Sequence, residues 1–351
     1  MKKFGALVFH KYKPTIIAEA GVNHNADLDI AKKLIDIAKE SGADIVKFQT
    51  AVPELVMTNN AEKATYQIDN TGISSESQLD MAKKIHLPLE SYKELQNYSN
   101  QVGIKFLSTP FDHLSIEYLC NLGLDTFKIP SGEITNLPYL QTIGGLKKKV
   151  ILSTGMSTMD EISSALDILL SEGTLKENIS VLHCNTDYPT KMSDVNLKAM
   201  LTIGEYFGVK FGYSDHTLGI EVPIAAVAMG ATIIEKHFTL DRKMDGPDHL
   251  ASLEPNELKE MIRAIRNIEE ALGSSKKIPT ESEKKNLFIA RRSIHILNDL
   301  PKGHIITNKD LIMKRPGDGI TPMNISLVLN NKLNKNVHKD YKLSLKDIIK
   351  N

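Results

Sequence analysis

Side chains that can bind anions, transfer protons or hold a metal ion follow short apolar runs along most of the chain. Such runs occur at residues 15–18, 44–48, 104–107, 126–129, 150–152, 179–182, 210–213 and 232–235. The candidate groups at or after their ends are Glu19, Lys47, Gln49, Thr109, Lys128, Ser131, Ser153, Asn185, Tyr188, Ser214, His216 and His237. Lysine charges combined with neutral hydroxyl donors are what a phosphate or carboxylate pocket requires. Their recurrence therefore predicts one anion-binding site assembled from many segments.

Two other interpretations of the lysines and hydroxyls stay open. A loop Ser or Thr often only caps a helix, and a loop lysine is often only solvated. Alternatively, Lys47 or Lys128 could form a Schiff base with a carbonyl substrate, as in some barrel aldolases. Borohydride would trap such an aldolase with its substrate, and chelators would not affect it.

His216 and His237 are the candidate metal ligands. If their segments are neighbours, two imidazoles can hold one divalent ion and leave positions open for substrate or water. A hydrogen-bonding or structural role is the alternative. Glu19 is a candidate general acid or base because it is a carboxylate directly after an apolar run. Asp248 follows the last run and could reach the same site, although Gly-Pro-Asp is also ordinary turn chemistry.

The elements that must position these groups alternate between strand and helix. Amphipathic helical patterns at residues 27–41, 88–102, 158–170 and 255–272 lie between the apolar runs, and Asp27 is placed to cap the first. Eight strand–helix units in roughly 270 residues predict a closed (β/α)8 barrel, with an open doubly wound sheet as the alternative. In a barrel of this type the site lies at the C-terminal ends of the strands.

Three segments depart from this rhythm. Residues 51–84 are long and rich in Asn, Thr, Ser and Gln, which predicts an elaborated loop over one end of the barrel. Residues 273–280 (GSSKKIPT) are typical of a linker. Short apolar alternations broken by Pro and Gly turns follow, which predicts a small β-rich domain. The predicted organisation is a barrel domain over residues 1–272, a linker over 273–289 and the β-rich domain over 290–351.

Composition excludes several partners. The 43 Lys+Arg balance the 43 Asp+Glu, so no global positive field favours nucleic acid or an anionic membrane. The apolar run at residues 5–9 is far shorter than the roughly 20 residues of a membrane span. Cys120 and Cys184 provide no disulfide framework. We expect a soluble, cytoplasmic protein with small-molecule partners and no nucleic acid or membrane partner.

The ordered motifs resemble those of the bacterial sialic acid (N-acetylneuraminate) synthase family, which includes the legionaminic and pseudaminic acid synthases. The motifs are IAEAGVNHN (17–25), VKFQT (46–50), LSTPF (107–111), FKIPSGE (127–133), LSTGM (152–156), LHCNTDYPT (182–190), GYSDH (212–216) and EKHF (235–238). The tail, with KRPG at 314–317, is similar to the family's C-terminal antifreeze-like (SAF, β-clip) domain. The resemblance implies a TIM barrel followed by this small domain.

The resemblance also implies a reaction. Phosphoenolpyruvate would condense with the open-chain aldehyde of an N-acylated mannosamine-type sugar, giving a nine-carbon 2-keto acid and free phosphate for cell-surface glycan (lipopolysaccharide or capsule) biosynthesis. Phosphoenolpyruvate would contact Lys47, Thr109, Lys128, Ser131, Ser153 and Ser214. The sugar would contact Gln49, Asn185, Tyr188 and Asp248. His216 and His237 would hold Mn²⁺, with Mg²⁺ or Co²⁺ possible, and Glu19 would be the acid/base. Arg315 would complete the site of a partner barrel in a domain-swapped homodimer.

Two departures from the family pattern concern loops. Ala26 stands where many members have Gly after Asn-His-Asn, which affects a tight loop more than the chemistry. The order Asn185-Thr186 differs from one synthase subgroup and leaves open which side chain there contacts the sugar. The residues 132–138 and 212–214 favour the legionaminic branch over the sialic branch. The alternative functions are a Schiff-base aldolase and a noncatalytic carbohydrate-binding protein. The polar groups at all the strand ends disfavour the noncatalytic protein.

Overall fold

The computed structural model describes residues 13–350, which form two compact units that divide between Gly273 and Ser274. The apolar run at residues 5–9 lies outside the described residues. Among those residues, none of the helices combines the length and the apolar character that crossing a bilayer requires.

The first unit is a barrel of eight parallel strands, which confirms the predicted (β/α)8 fold. Hydrogen bonds join the strands in the order β3-β2-β1-β8-β7-β6-β5-β4, and β3 also lies beside β4. The strands are β1 (Thr15–Gly21), β2 (Ile45–Thr50), β3 (Lys105–Pro110), β4 (Thr126–Ile129), β5 (Lys149–Ser153), β6 (Ile179–Cys184), β7 (Lys210–Asp215) and β8 (Ile233–His237). Most extend two or three residues further than the apolar runs, so many of the candidate polar groups lie inside strand ends.

Helices surround the strands. They are α1 (Leu28–Ser41), α2 (Pro53–Val56), α3 (Thr65–Thr71), α4 (Gln78–Ile85), α5 (Ser91–Val102), α6 (His113–Asn121), α7 (Leu137–Gly145), α8 (Met159–Ser171), α9 (Lys198–Phe207), α10 (Glu221–Ala228) and α11 (Pro255–Leu272). The Asp27 carboxylate accepts from the backbone N–H groups of Asp29 and Ile30, which confirms the predicted cap of α1. The helices bury their apolar faces against the outer side of the barrel, as in the stripe of Ala31, Leu34, Ile35 and Ala38.

The segment 51–84, predicted as an elaborated loop, contains the three short helices α2, α3 and α4. Short polar helices with weak apolar periodicity give little sequence signal, and tertiary contacts fix them. We call residues 51–85 the inserted segment. It runs from the end of β2 to the end of α4.

The second unit is small and β-rich, as predicted. It contains α12 (Glu281–Ala290), which lies in the segment predicted as a linker, and two antiparallel pairs. β9 (Ser293–Ile296) pairs with β10 (Leu311–Lys314), and β11 (Lys332–Leu333) pairs with β12 (Ile348–Ile349). Its separate core is made of Ile294, Ile296, Ile306, Leu311, Val328, Leu333, Val337 and Leu343.

Substitution of Gly212 in β7 tests how closely β7 and β8 pack. A Cβ at this position would lie 2.2 Å from the carbonyl oxygen of Ile233, which is backbone and cannot move aside cheaply. We expect Gly212→Ala to lower the free energy of unfolding by about 3 kcal/mol, as overpacking does in well-packed cores. Urea denaturation followed by circular dichroism measures the change.

Gly145 supplies the matched control, because it lies at the end of α7 with nothing within 4 Å of its Cβ position. We expect Gly145→Ala to leave stability unchanged or to raise it by up to about 1 kcal/mol. Equal effects of the two substitutions would contradict the packing described for β7.

Candidate active site

A cavity of about 540 Å³ lies at the C-terminal ends of the barrel strands. Twelve of the fourteen candidate residues named from the sequence line it: Glu19, Lys47, Gln49, Thr109, Lys128, Ser131, Ser153, Tyr188, Ser214, His216, His237 and Asp248. Side chains two residues apart on a strand point to the same side. Lys47 and Gln49 on β2 therefore reach the cavity together, as do Glu235 and His237 on β8.

Two lysines and two glutamates form a buried ionic cluster on the floor of the cavity. Lys47 Nζ lies 2.9 Å from Glu19 Oε2 and 3.7 Å from Glu235 Oε2. Lys128 Nζ lies 3.1 Å from Glu235 Oε1. All four side chains are 5% exposed or less. Because charges this deeply buried must be paired, the cluster holds both lysines at fixed places in the barrel mouth.

The two glutamates differ in their protonation. Burial raises the pKa of Glu19 to about 7, against the opposing effect of Lys47. Burial would also raise the pKa of Glu235, but Lys128 and Lys47 outweigh it and hold this pKa at about 2. Glu235 is therefore a fixed anion at neutral pH, whereas Glu19 can take up or release a proton near pH 7.

Hydroxyl donors surround the ionic cluster. Lys47 Nζ donates to Thr109 Oγ1 at 2.8 Å, and Ser214 Oγ donates to Glu235 Oε1 at 3.0 Å. The Ser131 hydroxyl oxygen accepts from the Gly155 N–H at 2.9 Å. The Ser153 hydroxyl is buried and has no hydrogen-bond partner among the described residues. Such free or exchangeable donors beside two lysines suit the oxygens of a phosphate or a carboxylate.

His216 and His237 lie on the other side of the floor, with ring centroids 5.5 Å apart. The His216 Nδ1–H donates to the Asn185 carbonyl, which leaves Nε2 with its lone pair free. Burial lowers the pKa of His216 to about 4, and burial, followed by the neighbouring His216, lowers that of His237 well below its usual value. Both rings are therefore neutral at pH 7 and can act as metal ligands.

One observation supports a metal at this pair. His237 Nδ1 is buried without a hydrogen-bond partner in the described part of the chain, and Asp248 Oδ2 lies 4.0 Å away. Burial raises the pKa of Asp248 to about 6. Within residues 13–350, no three His, Cys, Asp or Glu side chains form a complete metal-ligand group. An ion held by the two histidine nitrogens would take its remaining ligands from substrate or water.

Aromatic rings stack over the histidine pair. Tyr188 stacks on His216 at 4.0 Å between ring centroids and meets His237 edge-on at 5.6 Å. Tyr66, from α3 of the inserted segment, stacks on the other face of Tyr188 at 4.9 Å. Asn70, one turn further along α3, donates to the carbonyls of Tyr188 and Pro247. The inserted segment thus holds Tyr188 in place through the ring of Tyr66 and the side chain of Asn70.

A second buried ion pair lies behind the histidines. Lys236 and Asp215 are register partners in β8 and β7, and Lys236 Nζ lies 2.5 Å from Asp215 Oδ2. Both side chains are fully buried, and Lys236 also donates to the Thr217 carbonyl. Each partner is next in sequence to one of the two histidines. The pair therefore fixes the backbone positions from which both imidazoles extend.

Two of the fourteen candidate residues are not part of the cavity lining. Asn185 Oδ1 accepts from the Asp187 N–H at 2.8 Å, within its own loop. Arg315 lies exposed in the second unit, where its Nε donates to the Ala290 carbonyl. Glu235 and Tyr66 also line the cavity but are not among the fourteen candidate residues. Alternation along β8 could have placed Glu235 on the same side as His237, whereas Tyr66 carried no such signal.

The loop after β1 is tight. Gly21 has φ +55°, and a Cβ there would lie 3.1 Å from the His237 ring, which explains why glycine stands at this bulge in β1. Ala26 has φ +58°, in the left-handed region, so the departure from the family's Gly falls on a strained residue. Asn23 is structural in this arrangement: its Nδ2 donates to the Phe238 carbonyl and to Ser252 Oγ.

The Lys236–Asp215 pair can be tested by removing its members. We expect Lys236→Met to lower the free energy of unfolding by about 3–5 kcal/mol, because it leaves a buried carboxylate unpaired. The double variant Lys236→Met/Asp215→Asn should recover a large part of this loss. Urea denaturation of the wild type, both single variants (Lys236→Met and Asp215→Asn) and the double variant measures these effects, and additive losses in the double variant would contradict a direct pairing.

His24 gives a prediction for pH. Burial lowers its pKa from 6.5 to about 3, so the unfolded state binds the proton first and stability is lost as the pH falls from about 6.5 toward 3. Between pH 6.5 and pH 5 the wild-type protein should lose about 2 kcal/mol more than His24→Gln. His338→Gln, at a ring that is 87% exposed, controls for the replacement itself. Parallel stability–pH curves for wild type and His24→Gln would show that His24 does not contribute.

Known proteins share this sequence and fold. Residues 34–277 match the NeuB family, and residues 291–349 match the SAF domain. The chain is 51% identical to the N,N'-diacetyllegionaminic acid synthase of Campylobacter jejuni, over 93% of this chain and 98% of that protein. The protein of the same name from Legionella pneumophila is 48% identical, over 92% of this chain and 91% of its own length.

Among solved structures, the N-acetylneuraminic acid (sialic acid) synthetase of Leptospira borgpetersenii, in complex with citrate, is similar with a TM-score of 0.67 and 34% identity. The match covers 78% of this chain and 90% of that one. These findings confirm the resemblance drawn from the sequence motifs. The chain belongs to the NeuB family and carries a C-terminal SAF domain.

Proposed function

We propose that this protein is a nonulosonic acid synthase that condenses phosphoenolpyruvate with an N-acylated mannosamine-type sugar and releases phosphate. The observation that carries the proposal is the single cavity in which two buried lysines and several hydroxyls lie beside a neutral histidine pair. Most of the chain also aligns with two legionaminic acid synthases. The favoured acceptor is therefore 2,4-diacetamido-2,4,6-trideoxymannose, giving N,N'-diacetyllegionaminate; N-acetylmannosamine, giving N-acetylneuraminate, is the alternative.

The ionic cluster and its hydroxyls provide the phosphoenolpyruvate subsite. Lys47 and Lys128 supply the positive charges, and the hydroxyls of Thr109, Ser131, Ser153 and Ser214 supply neutral donors. Because Glu235 holds both lysines by ion pairs, they stay in place before substrate arrives.

Glu19 is the acid/base of the proposed reaction. With a pKa of about 7 it can accept a proton at Oε2 from the water that adds to the phosphate-bearing carbon, and it can later return that proton. Gln49 Nε2 donates to Glu19 Oε1 at 3.2 Å and so orients the carboxyl group. Gln49, Tyr188 and Asp248, which line the cavity, would hold the sugar.

The histidine pair would bring the aldehyde to the enol carbon. A divalent ion held by His216 and His237, Mn²⁺ by preference with Mg²⁺ or Co²⁺ as alternatives, would polarise the aldehyde oxygen. Tyr188 packs against both rings and so covers one side of the pair.

Homodimerisation and a cytoplasmic location belong to the same proposal. In a domain-swapped dimer, Arg315 would reach the sugar site of the partner barrel. Exposed apolar side chains in the second unit support a covered surface there: Phe288, Ile289 and Met323 are 63%, 67% and 89% exposed in the single chain.

A Schiff-base aldolase on the same barrel is the second candidate. A nucleophilic lysine must lose its proton before it attacks a carbonyl. Burial lowers the pKa of Lys47, but Glu19 and Glu235 outweigh burial and raise it. The ionic cluster therefore keeps Lys47 charged, which favours anion binding over imine formation.

Phosphate release tests the proposal. We expect the purified protein to release phosphate when phosphoenolpyruvate, Mn²⁺ and either sugar are present, and excess chelator should abolish the release. The ratio of kcat/KM values for the two sugars identifies the acceptor. Release that survives the chelator, or borohydride trapping of a lysine, would favour the aldolase.

His237→Ala is the matched variant for this experiment. We expect turnover to fall by about 100-fold or more, and Mn²⁺ binding measured by electron paramagnetic resonance to weaken in parallel. His338→Ala, at an exposed ring, should change neither quantity. Unchanged Mn²⁺ affinity in His237→Ala would exclude the histidine pair as the metal site.

A further inference from the structure

The active-site cavity has two chemically different sides. Its floor carries the ionic cluster, the hydroxyls and the histidine pair. The inserted segment lines the rest of the cavity with the polar side chains of Tyr66, Gln67 and Gln78 and with five apolar ones: Val56, Met57, Met81, Ala82 and Ile85. We call these five apolar residues the apolar wall.

Among the described residues, the apolar wall lines the cavity and lies outside the hydrophobic core of the barrel. Met81, Ala82 and Ile85 lie on one face of α4. Met81 and Ala82 are buried, yet neither belongs to the hydrophobic core of the barrel among the described residues. Apolar side chains directed into a cavity gain stabilising contacts only when something apolar fills it.

The inserted segment is well anchored, so the wall is a fixed surface. Lys63 Nζ is buried and donates to Thr71 Oγ1, to the Ile73 carbonyl and to Glu76 Oε1. Glu76 also pairs with Lys84 of α4 at 2.6 Å. The same segment is tied to the barrel loops through the stacking of Tyr66 and the two hydrogen bonds of Asn70.

The proposed chemistry uses the floor but leaves the wall without a partner. Phosphoenolpyruvate presents a phosphate and a carboxylate, which match the floor. The sugar is the remaining occupant of the cavity. The favoured acceptor differs from N-acetylmannosamine by a methyl group at C6 in place of a hydroxymethyl group, and by an acetamido group at C4 in place of a hydroxyl.

We infer that the apolar wall is the specificity-determining surface of the sugar site, contacting the C6 methyl and the 4-acetamido methyl of a 2,4-diacetamido-6-deoxy sugar. This inference rests on the proposed function. The wall favours such a sugar because its methyl groups bury against Met and Ile side chains. Hydroxyls at the same places would lose hydrogen bonds to water and find none in the wall.

Kinetic discrimination between the two sugars tests the inference. We expect Met81→Gln, which keeps the side-chain length, to lower the ratio of kcat/KM for the diacetamido sugar over N-acetylmannosamine by about 10-fold or more. The KM for phosphoenolpyruvate should not change, because the floor is untouched. Ile85→Thr tests the same wall from the next turn, so the result does not depend on one variant folding.

Lys83→Gln is the matched control, because it introduces the same side chain on the exposed face of α4. It should leave the ratio unchanged. If Met81→Gln and Ile85→Thr leave the ratio of kcat/KM for the two sugars unchanged, the inference is overturned while the proposed function stands. If the wild-type protein releases no phosphate with either sugar, the proposed function fails and the inference fails with it.

Discussion

The arrangement of the site depends on the pairing of two buried lysines with two buried glutamates. Each of these charges alone would be too costly to bury in the barrel mouth, and the ion pairs offset much of that cost. The pairing fixes the lysines before any ligand binds and separates the two glutamates in function. Glu235 stays ionised between Lys47 and Lys128, whereas Glu19 is left close to neutrality. The barrel mouth therefore combines a permanent anion on Glu235, an exchangeable proton on Glu19 and two lysine cations.

The strands β7 and β8 organise the part of the floor that carries the histidine pair. Their register pairs Ser214 with Glu235 and Asp215 with Lys236, so that one side of the two strands carries catalytic polarity and the other carries a structural ion pair. The same two strands lead into both histidines. Stability and chemistry are thus supplied by alternate residues of one short stretch, which explains why the motif EKH is polar throughout.

The barrel could be predicted because its signals are local and repeated. Each apolar run marked a strand, and the groups after it converged because parallel strands end at one face. The strands extend beyond the apolar runs, because polar residues such as Ser108 and Ser214 belong to β3 and β7 only through the hydrogen bonds of the sheet. Alternation would have assigned Glu235 to the floor. The inserted segment could not be predicted in this way, because α3 and α4 are too short to give a clear helical pattern. The roles of Tyr66 and Met81 depend on contacts with residues that are distant in sequence, such as Tyr188.

The three hydrogen bonds donated by Lys63 bear on how the sugar specificity of this chain can change in evolution. Their three acceptors, on Thr71, Ile73 and Glu76, all belong to the inserted segment, so the segment carries much of its own support. The strands carry the reacting groups, and this one contiguous stretch carries the apolar wall. A change in the stretch can therefore alter the cavity while the reaction itself is preserved. Exchange of the inserted segment alone between related barrels would then be a short evolutionary route to a new product.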